Sequence, residues 1–496
     1  MAEKQENAVP VMTQIKAMSG NFWAANLIEA GERLAFFGVR AVLPLYMVGT
    51  ASSSLGLSYS QKGVIYMIWA LLQCLVPMVS GGYAEAYGYK KSMYTAFAIN
   101  ICGYLVMANA HGFWSMLAAG VCVGVGTAIF KPPVQGMVAK SLDAGNSGLG
   151  FGIFYWVVNV GGFLAPMAAA WARGNEAHPT WPLVFYGAAL VTAWNFVPAF
   201  FLFKEPTRDP AAARKRPVQV FAETMKTLWN DKPMLRFLLV VSGFWFMFMQ
   251  LWDLLPNFID EWVNCMGVGR FLTAMLGSHA QSFLTAAGAA KPEMLINIDS
   301  FAIILLVLPL SWFFGRFTMM TSLVLGMAIS LLGFVGSGAT TSGMLCAVMI
   351  FVFAIGEIIC SPKFNEFVGM SAPPDKKAIY MGFSNIPFAV GWAAGNGLSG
   401  PLYDHLASRA VFARQILAGR FAMPADAVAK ISPDQLLSAL AEKMGGGATS
   451  NDAIRLLWDT YHPWVVWLVL GVVGLASVAG MVMNYRRSAA QACARG

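Results

Sequence analysis

Residues 26–47 read NLIEAGERLAFFGVRAVLPLYM. The segment is apolar at most positions and broken by Glu29, Glu32, Arg33 and Arg40. A membrane-spanning helix needs about 20 apolar residues, so the segment is long enough to cross. Glu29, Glu32 and Arg33 stand at i, i+3 and i+4, and Arg40 follows seven residues after Arg33. All four charges therefore share one helical stripe. An ionisable group in hydrocarbon costs at least about 2.5–3.5 kcal/mol and survives where it is paired or faces a wet cavity. The stripe faces protein or water, either as an ion-pair cluster that locks the helix or as part of a solute or ion pathway. Four charges in about three turns exceed what locking requires.

The rest of the chain is built in the same way. Of 496 residues, 57% are hydrophobic and 12% charged, with a mean hydropathy of +0.59. Soluble domains carry about 25% charged residues, so these numbers exclude a soluble globule, a disordered chain and a soluble domain with a single anchor. Apolar runs predict twelve helices near 22–49, 61–82, 92–110, 113–139, 148–172, 182–203, 235–259, 298–315, 317–337, 343–363, 376–400 and 461–484. The expected fold class is an all-α membrane protein, with twelve transmembrane helices in two six-helix bundles.

The net charge of +8 is read as loop cations that set topology, not as a nucleic-acid surface. Lys90, Lys91, Lys140, Arg316, Lys363, Lys376, Lys377, Arg486 and Arg487 fall on one side, together with the basic loop 204–234. The short loops on the other side, 50–60 and 338–342, contain no cation. This positive-inside pattern predicts cytoplasmic N- and C-termini in a plasma (inner) membrane. The N-terminus lacks the apolar core of a signal peptide. Residues 1–203 and 235–496 are expected to form the two bundles, joined by a cytoplasmic linker, 204–234. Extracytoplasmic insertions are expected at 260–297 and 401–460. The second contains the helix-like SPDQLLSALAEKM, Ser432 to Met444.

The halves echo one another. Gly126, Pro132, Gly152 and Gly161 recur 230 residues later as Gly356, Pro362, Gly382 and Gly391. Either abundant glycines coincide or the halves are a duplication. A same-direction repeat relates two bundles about an axis along the membrane normal and puts a substrate site between them, with rocking access.

Further intramembrane charges mark that site. Lys131, beside Pro132 and Pro133, either snorkels to the interface or finds an anion, with Glu29 and Glu32 the nearest in its half. Glu357 stands in the second half at a matching depth. Asp253 reads equally well as packing or site, and Asp299 as an interfacial helix cap. The five histidines, His111, His178, His279, His405 and His462, lie outside the expected helix centres, so carboxylates would carry any protons. The seven cysteines show no metal or disulfide spacing. No nucleotide-binding loop, HExxH, CxxC or GxSxG occurs, which argues against an ATP-driven pump and most membrane enzymes. Transport is then expected to draw on an ion or substrate gradient, with no cofactor and no metal. A sensor or assembly protein using the two insertions is a further class.

At these residues the chain resembles the proton-dependent oligopeptide transporter (peptide transporter) family of the major facilitator superfamily. Glu29 to Arg40 is similar to the family's ExxERFxYYG signature on helix 1. Phe130-Lys131-Pro132 is similar to its helix-4 lysine, and FYWVVNVGGFLAP (154–166) to its helix-5 motif. Gly356-Glu357 with Ser361-Pro362 resembles its helix-10 acid segment. GGYAEAYGYKK (81–91) resembles the superfamily's gating loop, with Glu85 where Asp is usual. The resemblance implies proton coupling by Glu29, Glu32, Arg33 and Lys131, and gating by Gly81, Glu85, Gly88 and Lys90. It implies substrate contacts from Arg40, Phe37, Lys131, Asn159, Trp245 and Glu357. The implied activity is proton-coupled symport of di- or tripeptides or similar small zwitterions, by alternating access in the bilayer, with no obligatory oligomer. The chain departs from the family where Phe36-Phe37 replaces a tyrosine pair, where Met249 stands at a helix-7 glutamate, and near Ser384, where helix 11 usually has Trp. These departures support the alternative of a non-peptide solute: an amino-acid conjugate, nucleoside, anion or drug.

Overall fold

A computed structural model describes residues 11–49, 53–78, 80, 84, 87–143, 146–174, 179–205, 217–373, 380 and 383–493. Twelve long helices carry the fold. The first six are α1 (Gly20–Val48), α2 (Tyr59–Leu75), α3 (Tyr89–Ala108), α4 (Phe113–Lys140), α5 (Ser147–Arg173) and α6 (Trp181–Trp194). The second six are α7 (Lys232–Phe248), α8 (Pro292–Phe314), α9 (Met319–Gly338), α10 (Gly343–Met370), α11 (Asn385–Leu406) and α12 (Val465–Cys493). Among the described residues, β structure is limited to two isolated bridges. Eight of the helices are long and apolar enough to span a membrane by composition alone. Two of the others fall short for evident reasons: α1 carries its charge stripe, and α2 has 17 residues.

The packing repeats. α3 lies on α4, α1 on α5, α3 on α6, α2 on α4 and α1 on α6, and the same pairs return six helices later. The halves meet where α2 packs on α11 and α5 on α8, pairs that the same six-helix shift exchanges. The glycines show why the repeat holds. A Cβ on Gly126 would stand 2.1 Å from the Asn100 side-chain oxygen, and one on Gly356 would stand 2.4 Å from the Ser330 amide nitrogen. Asn100 and Ser330 are themselves 230 residues apart. Only a bare backbone lets α3 and α4, or α9 and α10, approach this closely.

Two expected boundaries move. The segment expected as one helix over 235–259 is a broken rod: α7, then Gln250–Asp253, then Leu255–Trp262. Pro256 sits in the first turn of the last piece; it has no amide hydrogen to continue the ladder, so the break falls just before it. Helix α8 begins at Pro292, not near 298. Asp299 therefore lies two turns inside the helix instead of capping it.

The segment 260–297 includes a helix, Met266–Leu276, and a 3-10 turn, Gly277–Phe283. Beyond α11, helices Arg409–Gly419, Ala425–Lys430, Leu436–Met444 and Ser450–Tyr461 fold back on the end of the broken rod. Trp262, Phe412, Leu440 and Leu457 join the core of the second half there, and the Trp262 indole donates to the Ala407 carbonyl at 2.9 Å.

Candidate functional site: a charged cavity between the halves

A cavity of about 370 Å³ lies between the two halves. Small-molecule sites typically fall between about 300 and 1,000 Å³. Helices α1, α4 and α5 supply Arg33, Phe37, Arg40, Lys131, Tyr155 and Asn159 to its wall. The broken rod and α8, α10 and α11 supply Trp245, Asp299, Glu357, Phe388 and Trp392. Arg33, Phe37, Arg40, Lys131, Asn159, Trp245 and Glu357, picked from the sequence, thus share one space. Glu29 and Glu32 stand behind this wall.

Arg33 pairs with Glu29 at 3.2 Å and, more closely, with Glu32. All three are buried, and Glu32 is 0% exposed. The guanidinium also lies over Phe36 and Phe37, 5.0 and 5.5 Å from their ring centres. The aromatic pair that replaces tyrosines thus packs on a cation without hydroxyls. Lys131 is half-buried, faces the cavity and makes no ion pair among the described residues. Pro132 and Pro133 sit inside α4, which stays helical through them. Across the cavity, Asp299 on α8 and Glu357 on α10 line the opposite wall. Trp245 stacks on Phe388 at 3.6 Å. Asn159 donates to the Tyr155 carbonyl at 2.8 Å, one turn back on its own helix.

One end of the cavity is closed by polar contacts between the halves. Arg40 pairs with Asp253, whose second oxygen accepts from the Trp392 indole at 2.6 Å and Asn396 at 2.7 Å. Lys62 donates to the Asp253 carbonyl and to the Asn257 side chain, both at 2.7 Å. The Tyr59 hydroxyl donates to Glu261 at 2.9 Å, and the Tyr59 and Ser60 amides to Asp404 at 3.1 and 2.8 Å. Arg173 at the end of α5 grips Glu293 at the start of α8 at 2.6 and 3.1 Å. Lys291 donates to the Ala170 and Gly174 carbonyls, both at 2.8 Å. All these contacts lie at the end of the bundle away from the start of α1. Arg40 is therefore held by a carboxylate in this arrangement.

The sequence reading left out Lys62, Asn257 and Asn396, and it placed Asp299 in a cap. Lys62 was hidden because it stands in the first turn of α2, where a lysine reads as interfacial. Of the gating residues, Gly81 and Glu85 lie outside the described residues. Gly88 precedes α3 with a φ of 107°, a conformation that glycine adopts without strain. Lys90 donates to the Phe200 carbonyl at 3.0 Å.

Two bundles about a central cavity lined by opposite charges define a membrane transporter of small solutes, not an enzyme. The family model described as Major Facilitator Superfamily matches residues 32–396, and the chain belongs to that superfamily. Multidrug resistance protein MdtH of Klebsiella pneumoniae is 22% identical over 75% of this chain and 84% of its own length. Among solved structures, the nucleoside transporter NupG aligns with a TM-score of 0.65 at 12% identity, covering 94% of this chain and 99% of its own. The peptide transporter POT in complex with sulfate aligns with a TM-score of 0.61 at 17% identity, covering 94% and 95%. A POT family transporter in complex with 5-aminolevulinic acid aligns at 0.62 and 16%, covering 94% and 99%. At these identities the structures establish the fold alone.

Proposed function

We propose that the protein is a proton-coupled symporter of di- or tripeptides or similar small zwitterions, working by alternating access. The observation that carries this reading is the polarity of the cavity. Arg33 and the unpaired Lys131 stand on the wall of the first half, and Glu357 and Asp299 on that of the second. A zwitterion placed between them satisfies both walls, so its binding draws the halves together. Glu29 and Glu32 against Arg33 supply the proton-linked acids: with a proton on Glu32, Arg33 loses a partner and turns to the cavity. Lys131 and Arg33 meet the carboxylate end of the solute; Glu357 and Asn159 meet its amino end, and Phe37 and Trp245 its body. Arg40 joins the carboxylate site when its pair with Asp253 opens. Gly81, Glu85, Gly88 and Lys90 gate the other end.

The described cations Lys90, Lys140, Arg316 and Lys363 lie at the end where the cavity is not closed by the contacts above, and the positive-inside rule places that end in the cytoplasm. The state is then inward-facing, in a bacterial plasma membrane. Residues 1–203 and 235–496 act as the rocking units about the linker 204–234, with no oligomer required. Uptake in proteoliposomes tests the coupling. Glu32→Gln should abolish gradient-driven uptake and leave counterflow exchange intact; a variant that keeps both removes the proton role.

A second reading, transport of a non-peptide solute such as an amino-acid conjugate, nucleoside, anion or drug, is favoured by the aromatic lining: Phe36, Phe37, Trp245, Phe388 and Trp392. A ligand that binds the folded state raises its melting temperature. Stabilisation by dialanine supports the first reading; stabilisation by non-peptide solutes with none by short peptides supports the second.

A further inference from the structure

The linker between the halves ends in a helix, Pro217–Asn230, that runs into α7 with only Asp231 between them. One side of this helix is buried: Thr224 and Leu228 stand one turn apart, and Leu228 joins the core of the second half. The other side carries Lys226 and Trp229, three residues apart and both exposed, the indole at 67%. On α7 the exposed stripe continues with Lys232, Arg236 and Leu239, at i, i+4 and i+7. The apolar span of α7 opens at Lys232. The Lys232 ammonium lies over the Trp229 ring, 4.2 Å from its centre. Lys226, Lys232 and Arg236 pair with no carboxylate among the described residues. Asp231, the acid at the junction, is taken: one oxygen accepts from the Met234 amide at 3.1 Å and the other from the Tyr380 hydroxyl. Glu223 is the one acid on the helix itself. Cations at the end of a span ordinarily do no more than set topology. Here they share a face with an exposed indole that already holds one of them. Trp114 and Trp171 are as exposed, at 77% and 69%, yet no cation lies over either ring among the described residues.

We propose that Lys226, Trp229, Lys232 and Arg236 form a binding site for the headgroup of an anionic phospholipid, which fixes the last helix of the linker on the bilayer surface. Tryptophan favours the headgroup level of a membrane, and basic side chains there attract anionic lipids. A helix with one side docked and an indole and a cation on the other suits that level. The three cations meet the lipid's phosphate, and the Trp229 ring packs on its glycerol and first chain carbons. The occupant is a lipid and not a free phosphate, because the stripe runs from the cations straight onto Leu239, which is 56% exposed on the apolar span. A zwitterionic phospholipid carries its own ammonium and cancels the charge that the three cations seek. The site is separate from the cavity and holds whichever solute the cavity carries.

The test uses the purified full-length protein in phosphatidylcholine nanodiscs that hold a minor share of phosphatidylglycerol, brominated near the ester end of its chains. Bromine quenches an indole that it touches, and the signal lost in Trp229→Phe separates Trp229 from the rest of the 16 tryptophans. Brominated phosphatidylglycerol should quench Trp229 well beyond its share of the bilayer; equally dilute brominated phosphatidylcholine should not. Lys226→Gln, Lys232→Gln and Arg236→Gln should each raise the apparent Kd for phosphatidylglycerol about fivefold. The triple variant should bring the quenching down to the phosphatidylcholine level, and Lys232→Arg should keep it. If the triple variant fails to fold, the single variants and a salt series on the wild type serve, since added salt should weaken the quenching by phosphatidylglycerol alone. Equal quenching by the two lipids, or unchanged quenching in the variants, overturns the proposal. A rise in melting temperature with inorganic phosphate in detergent, lost in the triple variant, would give the patch to a free anion and overturn it too. Quenching by neither lipid, with Trp229 open to aqueous iodide, would leave the patch in water for an acidic protein partner and likewise overturn it.

Discussion

Asp253 shows how much one residue can hold. Its side chain receives Arg40 on one oxygen and Trp392 and Asn396 on the other, while its carbonyl takes Lys62. Both Arg40 and Lys62 are buried, and Arg40 also lies over the Tyr66 ring, 4.6 Å from its centre. Removing one partner of a buried ion pair typically costs about 3–5 kcal/mol, because the other charge stays uncompensated. Asp253→Asn should therefore lower the melting temperature and loosen the closed end, read as faster hydrogen exchange over 40–47 and 255–262. Unchanged exchange there would show that the contact does not hold the halves together. A single sequence could not reveal this role. The stripe on α1 was legible because its four charges lie within twelve consecutive residues. Asp253 stands alone in its helix, and its partners come from three other segments that only the fold brings near.

The elements follow the hydrophobic pattern closely, and they depart from it where local chemistry overrides it. Each of the twelve apolar runs holds one of the twelve long helices, although 235–259 is broken and the start of 376–400 lies partly outside the described residues. The start of α8 is hard to read because Lys291, Glu293, Asn297 and Asp299 interrupt the apolar run there, although proline in the first turn after Lys291 is itself a start signal. The close helix pairs are tested by contrast. Gly356→Ala drives a methyl into the Ser330 backbone and should destabilise by about 1–3 kcal/mol. Gly187→Ala in α6, where nothing lies within 4 Å of the added carbon, should stabilise by about 0.5–1 kcal/mol. Equal melting temperatures for the two variants would show that the 230-residue repeat is not held by these contacts. Outside the spanning helices, Asp452 accepts from the Thr449 amide at 2.9 Å and its hydroxyl at 2.7 Å, and these bonds hold its carboxyl below the usual carboxylate range. A depressed carboxyl stabilises above its unfolded value of about 3.9 and loses that effect as pH falls through the folded value. Helix Ser450–Tyr461 should fray first as the solution is acidified below about pH 4. Amide protection in that helix unchanged between pH 5 and pH 3 would contradict the cap's role.

At the scale of the whole molecule, two related bundles share one cavity, and the named polar contacts between them gather at one end. That asymmetry is what alternating access requires: ion pairs strong enough to close one end, yet built from groups that a solute or a proton can recruit. In the proposed mechanism Arg33, with two acids behind it and the cavity before it, passes a proton's effect on to a solute. The sequence exposed this half of the site because α1 concentrates it. The opposite wall was less legible, since Asp299, Trp245 and Phe388 become a wall only when α8, the broken rod and α11 converge. The central claim is that proton and solute are coupled through the cavity's opposed charges. Its most direct test is peptide-driven proton flux: the protein is reconstituted in liposomes with a trapped pH dye and given dialanine under an inside-negative potential. The account predicts acidification that vanishes in Lys131→Ala; no acidification in vesicles holding folded wild-type protein, or acidification that persists in Lys131→Ala, would contradict it.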